Sequence, residues 1–332
     1  MRAKLLSVSL AFVVLLTCGV AWASILPGDV GQHWKLNSTG YSTLFFDDVK
    51  EVIYGMTIHK VTSAFQDFGN IGTGYADFGD DTGGGPNRPI SGMIGIIVAG
   101  YQVIAVDDFT SGSGYDRVTG YTDMKNAIQN NLSLKDILYF GDYDGAAAYV
   151  YYDPAGSSGD FDKGGTFGTN SAGNPTYTDA NTGKTIGDDL DEYLFKATFQ
   201  YISGYQVDGT SRAAPDGTLF GQFFGQGYVQ MYLNVVPNQG TSWQLIMPGK
   251  MRQQYVSYDD DANWIIEDDE PTKTVYADII ASAQTQNLPS SGWATSSDPI
   301  EWVSQPEPAS VVIWAGLAGA AMGLAFLRRR AR

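Results

Sequence analysis

Two stretches of this chain alternate with a period of two residues, and long amphipathic helical patterns are nearly absent. Over 193–202 the residues Tyr193, Phe195, Ala197, Phe199 and Tyr201 fall on one side. Over 228–236, Val229, Met231, Leu233 and Val235 do the same. Successive side chains of a strand point to opposite faces, so these patterns specify antiparallel strands with one face on a core. Forty glycines, 20 tyrosines and 16 phenylalanines supply tight turns and strand-forming residues. The expectation is an all-β fold, mainly antiparallel and β-sandwich-like, with a small helical insertion.

Taken in order, 24–42 reads as an irregular or strand-like lead-in, and 49–65 as one long strand or a hairpin, rich in β-branched residues. Residues 66–89 hold seven glycines and two prolines and read as a long loop. The most apolar segment behind the leader is 90–106. Glycines and Gln102 interrupt it, which favours two buried strands over a membrane helix. Residues 122–140 read as two short helices capped by Thr122 and Ser133. A strand follows at 146–152. The polar segment 153–189 reads as a surface excursion or a break between two subregions. Further strands are expected at 193–202, 219–224 and 228–236, then a strand or alternatively a helix near 277–283, with a final turn over 292–299.

Both ends carry different signals. Arg2 and Lys4 precede an apolar run from Leu5 to Val20, and Ala21-Trp22-Ala23 before Ser24 is a small-x-small cleavage site. Residues 1–23 therefore read as a secretory signal peptide containing a signal helix, cut between Ala23 and Ser24. Thr17 makes a poor lipobox in front of Cys18. Cys18 is the one cysteine, so the mature body holds no disulfide and no cysteine chemistry. At the other end, Pro306-Glu307-Pro308 precedes an uncharged block, Val311 to Leu327, and then Arg328, Arg329, Arg330 and Arg332. As a helix that block reaches about 25 Å, near the lower limit for a transmembrane helix. The arginines are expected to act as a membrane stop on the cytoplasmic side, leaving 24–304 as an extracellular β-rich domain.

The order Pro-Glu-Pro, apolar helix, arginine cluster at 305–332 resembles the PEP-CTERM sorting signal of Gram-negative bacteria. The resemblance implies an exosortase substrate. That membrane-embedded cysteine transpeptidase reads the signal, the tail is cut near Pro306, Glu307 and Pro308, and the product passes to the cell surface or the exopolysaccharide matrix. The Gly292-Trp293 to Pro299 stretch also looks like the end of the extracellular domain in many such proteins. The implied partners are signal peptidase, the exosortase and exopolysaccharide, with the membrane engaged through the C-terminal helix before processing.

Charge narrows the partners further. Without the two end segments the body keeps 14 basic and 35 acidic residues, net −21. Phosphate contacts need lysine and arginine, so no nucleic acid partner is expected. No catalytic residue is assigned: His33 and His59 read as structural, and a Gly-x-Ser-x-Gly elbow is absent. No cofactor is expected apart from calcium. Asp142 and Asp144, then Asp160 and Asp162, each place two carboxylates two residues apart on glycine-rich turns, and Asp259–Asp261 is a third acidic cluster. The expected function is that of a secreted structural or adhesive surface or matrix protein, not an enzyme. The alternatives are a calcium-assisted carbohydrate-binding module, with Trp and Tyr faces stacking on sugars, and a secreted hydrolase using paired carboxylates.

Overall fold

Eight strands of the body are each paired on both sides, and their pairings close on themselves. A computed structural model describes residues 33–67, 87–88, 93–109, 114–131, 136–153, 156, 160–188, 193–199, 205–207, 210–212, 215–223, 229–241, 251–257, 272–286 and 292–303. All belong to one compact unit, His33–Val303. The segments read as signal peptide and sorting signal, 1–23 and 305–332, lie outside the described residues.

The first half runs β1 (His33–Asp47), β2 (Val52–Asp67), β3 (Asn87–Arg88), β4 (Met93–Asp108), β5 (Asp116–Val118) and β6 (Ile137–Asp153). One short helix, α1 (Tyr121–Asn126), runs into a π-helical turn before β6. Next come β7 (Thr166–Thr169), β8 (Pro175–Thr178), β9 (Thr185–Ile186) and β10 (Tyr193–Phe199). The last part holds β11 (Tyr205–Val207), β12 (Thr210–Arg212), β13 (Thr218–Phe223), β14 (Val229–Val235), β15 (Met251–Ser257), β16 (Thr272–Ala277), β17 (Ile279–Gln286) and β18 (Trp293–Val303).

The hydrogen-bonded order β6-β10-β14-β17-β18-β1-β2-β4 is completed by a long ladder from β4 back to β6. Each of these pairings is antiparallel. Closure removes the unpaired edges that an open sheet would present. Opposite walls then face each other across one apolar interior, as the two sheets of a sandwich do. The mainly antiparallel all-β expectation holds.

Local chemistry explains the turns and irregularities. The β1–β2 hairpin turns at Asp47, whose carboxylate accepts the backbone N–H groups of Val49 and Lys50, each at 3.0 Å. The segment expected as two buried strands, 90–106, is a single 16-residue strand, β4. Gly100 absorbs the interruption at φ +79, where the β4–β6 register shifts. There β6 pushes out a four-residue excursion, Asp142 to Gly145, which is exposed while the strand on both sides of it is buried.

The helical expectation over 122–140 needs correction at both ends. The helix is capped by Gly120, with no side-chain cap, rather than by Thr122. Ser133 lies outside the described residues, but from Ile137 onward the chain is strand. Here β6 is flanked by β4 on one side and β13 on the other, and Ile137 and Tyr139 are fully buried. Two-sided ladder pairing overrides a local helical tendency.

The expected final turn, 292–299, is also a strand. In β18 every residue from Trp293 to Val303 is registered against β1. Pro299 has no N–H to give, and the ladder to β17 is interrupted there: it pairs at Ile300, skips two residues and resumes at Ser297.

The polar segment 153–189 folds as a three-stranded sheet, β7-β8-β9, and is part of the same unit rather than a break in it. Its Phe161, Tyr177 and Ile186 are fully buried against Ile58, Met93, Ile97, Tyr151 and Tyr193. A β-bulge between Tyr193 and Phe195 splits the alternation read from the sequence. Tyr193 joins this cluster, while Phe195 and Ala197 face the interior.

Gly55 gives a direct test of interior packing. A Cβ there would lie 2.1 Å from the ring of Tyr101, which is 2% exposed and hydrogen-bonded to Thr57 at 2.7 Å. Phe140 and Phe220 hold the same ring, with centroids at 5.1 and 5.4 Å. Gly55→Ala is expected to cost about 1–3 kcal/mol as an overpacking change. It should lower the urea midpoint with m unchanged. Gly173→Ala meets nothing within 4 Å and carries only the left-handed penalty of its φ of +80, about 1–2 kcal/mol.

Candidate functional site

The residues proposed for processing, Ala23, Ser24, Pro306, Glu307 and Pro308, lie outside the described residues, as do Arg328, Arg329 and Arg330. So does Asp259–Asp261. Among the described residues no helix is long and apolar enough to cross a membrane.

The four calcium candidates have different fates. Asp142 and Asp144 lie in the exposed excursion of β6. One oxygen of Asp142 accepts the N–H groups of Gly145 at 2.9 Å and Ala146 at 3.3 Å, which shapes the turn. Asp160 is buried and takes the ammonium of Lys184 at 2.7 Å. Asp162 is paired with the ammonium of Lys60 and also accepts the hydroxyl of Tyr41 at 3.2 Å. Burial raises the Tyr41 pKa, and the neighbouring Asp162 carboxylate raises it further. Lysine therefore supplies the positive charge for Asp160 and Asp162. Among the described residues no group of three or more His, Cys, Asp or Glu side chains lies close enough to hold a metal ion.

Asp162 and Asp160 instead fasten the β7–β9 sheet, with Asp179 at its centre. Asp179 is 1% exposed. Its oxygens accept N–H groups from Asp162 at 2.7 Å and from Asn181 and Thr182 at 2.8 Å each. Burial alone would raise its pKa. The convergent N–H groups outweigh that and hold the carboxyl below its ordinary value. Tyr177 donates to the backbone carbonyl of Asp162 and accepts from Gly165 N–H at 2.9 Å. Burial pushes its pKa up to about 12.

A second ionic cluster was not legible in the sequence. Asp107, at the end of β4, is fully buried. Arg117 of β5 grips both its oxygens, at 2.8 and 3.1 Å, and the Tyr139 hydroxyl of β6 donates to it at 2.8 Å. The guanidinium also sits 4.9 Å from the centre of the Tyr139 ring. The only sequence trace was the Asp107-Asp108 pair closing the apolar run. Its partner ten residues on had no motif to mark it.

Aromatic rings form a row across the outer surface. Tyr54 stacks on Phe45 at 5.0 Å and on Tyr143 at 6.2 Å, with interplanar angles of 14° and 11°. Phe45 meets Phe167 edge-on at 6.4 Å, and Phe167 stacks on Trp293 at 6.2 Å. Sugar binding needs a free ring face. Here Tyr54 is stacked by two neighbours, and the end ring Tyr143, 39% exposed, is the most accessible of the five.

The interior holds a cavity of about 40 Å³. Its walls come from seven of the eight closing strands and include Ile96, Ala148, Phe195, Ala197 and Ala281, with His59 as the one polar side chain. His59 is buried. The apolar run 90–106 signalled part of this wall, but nothing in the sequence signalled a hollow. Left empty, a cavity of this size costs about 1 kcal/mol, at roughly 24 cal/mol per Å³.

Two substitutions test the ionic clusters. Arg117→Ala strands the Asp107 carboxylate and is expected to cost about 3–5 kcal/mol in urea unfolding. For Asp179 the folded pKa is depressed, so its contribution is whole above the unfolded value near 4 and is lost as pH falls through the folded value. Asp179→Asn should therefore lower stability at pH 7 and make the acid-side loss shallower, as read from urea midpoints at a series of pH values. Comparison of the chain with known protein families, with curated proteins and with solved structures found no match.

Proposed function

We propose that this chain is an exported surface or exopolysaccharide-matrix protein, processed at both ends, whose β body has a structural or adhesive role. The observation that carries the reading is the order of three blocks at the C-terminus: Pro306-Glu307-Pro308, the uncharged run Val311 to Leu327, and Arg328 to Arg330. Each block has a physical task in an exosortase substrate. The stiff tripeptide presents an extended segment for cutting. The apolar run holds the tail in the bilayer while the cut is made. The arginines keep the tail end cytoplasmic. The leader before Ser24 supplies export to the same side of the membrane.

The body is compatible with that role. Its net charge of −21 keeps an exported protein soluble and suits a polycationic or cation-bridged matrix. Asp160 and Asp162, two of the candidate calcium ligands, are neutralised by Lys184 and Lys60. Rings of the aromatic row engage one another. These features favour a structural role over calcium-assisted sugar binding.

Intact mass of the protein recovered from its native host tests the reading. The expected mass begins at Ser24 and ends near Pro306 to Pro308, with or without an added group. A mass retaining the tail through Arg332 makes the chain a plain membrane-anchored ectodomain and removes the exosortase. Deleting residues 306–332 should release the protein into the medium. Unchanged surface retention of that deletion would also sink the proposal.

A further inference from the structure

The barrel interior is unevenly filled. An eight-stranded barrel is just wide enough for its side chains to fill, or to hold one small ligand. At one level it is full: Tyr101, Phe140, Phe220 and Phe199 touch in sequence, with centroids at 5.1, 4.8 and 5.3 Å. At the next level the walls retreat. Ala148 of β6 lies directly opposite Ala197 of β10, and Ala281 of β17 adds a third short side chain. Over Gly40 of β1 the space is already taken, since a Cβ there would lie 2.4 Å from the Ser296 hydroxyl and 2.5 Å from the His59 ring. The cavity of about 40 Å³ occupies this level.

Its chemistry limits what can enter. An internal water needs two to four polar partners, and apart from His59 the walls are hydrocarbon, aromatic carbon and the Met231 thioether. Charged and strongly polar groups would lose their hydration without replacement. At about 40 Å³ the space is far below the roughly 150 Å³ of a cavity that takes benzene, so it admits the end of a ligand and not a whole ring. A straight alkyl chain is the slimmest apolar ligand, and it can lie lengthwise between strand walls. We propose that this cavity is a binding site for the end of a straight aliphatic chain, supplied by a lipid acyl group or by a small free amphiphile. The three alanines set its width and Phe199 stands beside its filled end.

The test uses the full chain in lipid nanodiscs, with the methyl groups of Ile, Leu and Val labelled for NMR. Straight alkanols from butanol to octanol are titrated in turn. Methyl resonances of Ile96, Val98, Val150 and Leu233 are expected to shift saturably. Affinity should rise about fourfold per added methylene until the space is full. Ala197→Leu, which puts a side chain in the space, should weaken hexanol at least tenfold while methyl resonances elsewhere keep their positions. Should that variant fail to fold, Ala281→Val makes a smaller intrusion and should weaken hexanol in the same sense. Nuclear Overhauser contacts from the lining methyls to lipid acyl protons would support the site and identify the bilayer as the source. Their absence, together with shifts by added alkanol, would support it with a free amphiphile as the source. Lining methyls that neither shift with hexanol nor contact acyl protons would overturn the proposal. So would hexanol binding equally well to wild type and to a folded cavity-filling variant.

Discussion

The ladder between β4 and β6 joins the two ends of a strand series that would otherwise leave a long open edge on each side. It is also the longest-range decision the chain makes with its most apolar segment. Through it, Met93 to Asp107 pairs with Asp153 back to Ile137, and the sheet becomes a ring. Closure satisfies the backbone groups of every wall without a covering helix. With a single cysteine and, among the described residues, one six-residue α-helix, the body draws its backbone hydrogen bonds almost wholly from strand pairing.

Closure also produces two separate apolar environments. Residues of one parity in β2, β4 and β6, such as His59, Ile96 and Val150, look into the ring. Those of the other parity, Ile58, Ile97 and Tyr151, would face water if nothing covered them. The β7–β9 sheet covers them, and buried Phe161, Tyr177 and Ile186 are its anchors. Carboxylates hold that cover in place: Asp162 reaches Lys60 of β2, while Asp160 and Asp179 brace the cover from within. The acidic turns that suggest a cation site in isolation thus serve as attachment points between two layers.

Bulges decide which environment a side chain enters. One extra residue between Tyr193 and Phe195 sends the two rings to opposite sides of the wall. The shift at Gly100 throws Asp142 to Gly145 outward and brings Tyr143 onto the aromatic row. Such features follow from the register of partners far away in the chain. A period-two pattern carries no trace of them, because the bulge residue looks like any other member of the run.

The sequence by itself determined the strand chemistry, the single cysteine, the acidic charge balance and the apolar and charged runs at the two ends. Each of these is local: an alternation, a composition, or a run of charge beside a run of hydrocarbon. It could not decide whether 137–140 was helix or strand, whether 292–299 was a turn, or whether 153–189 lay apart from the core. It was equally silent on Arg117 finding Asp107, on lysines neutralising Asp160 and Asp162, and on three alanines meeting around a hollow. Those outcomes belong to tertiary structure. They depend on which distant strand lies alongside, and pairing on both sides of a strand outweighs the small local preferences that a sequence window can reveal.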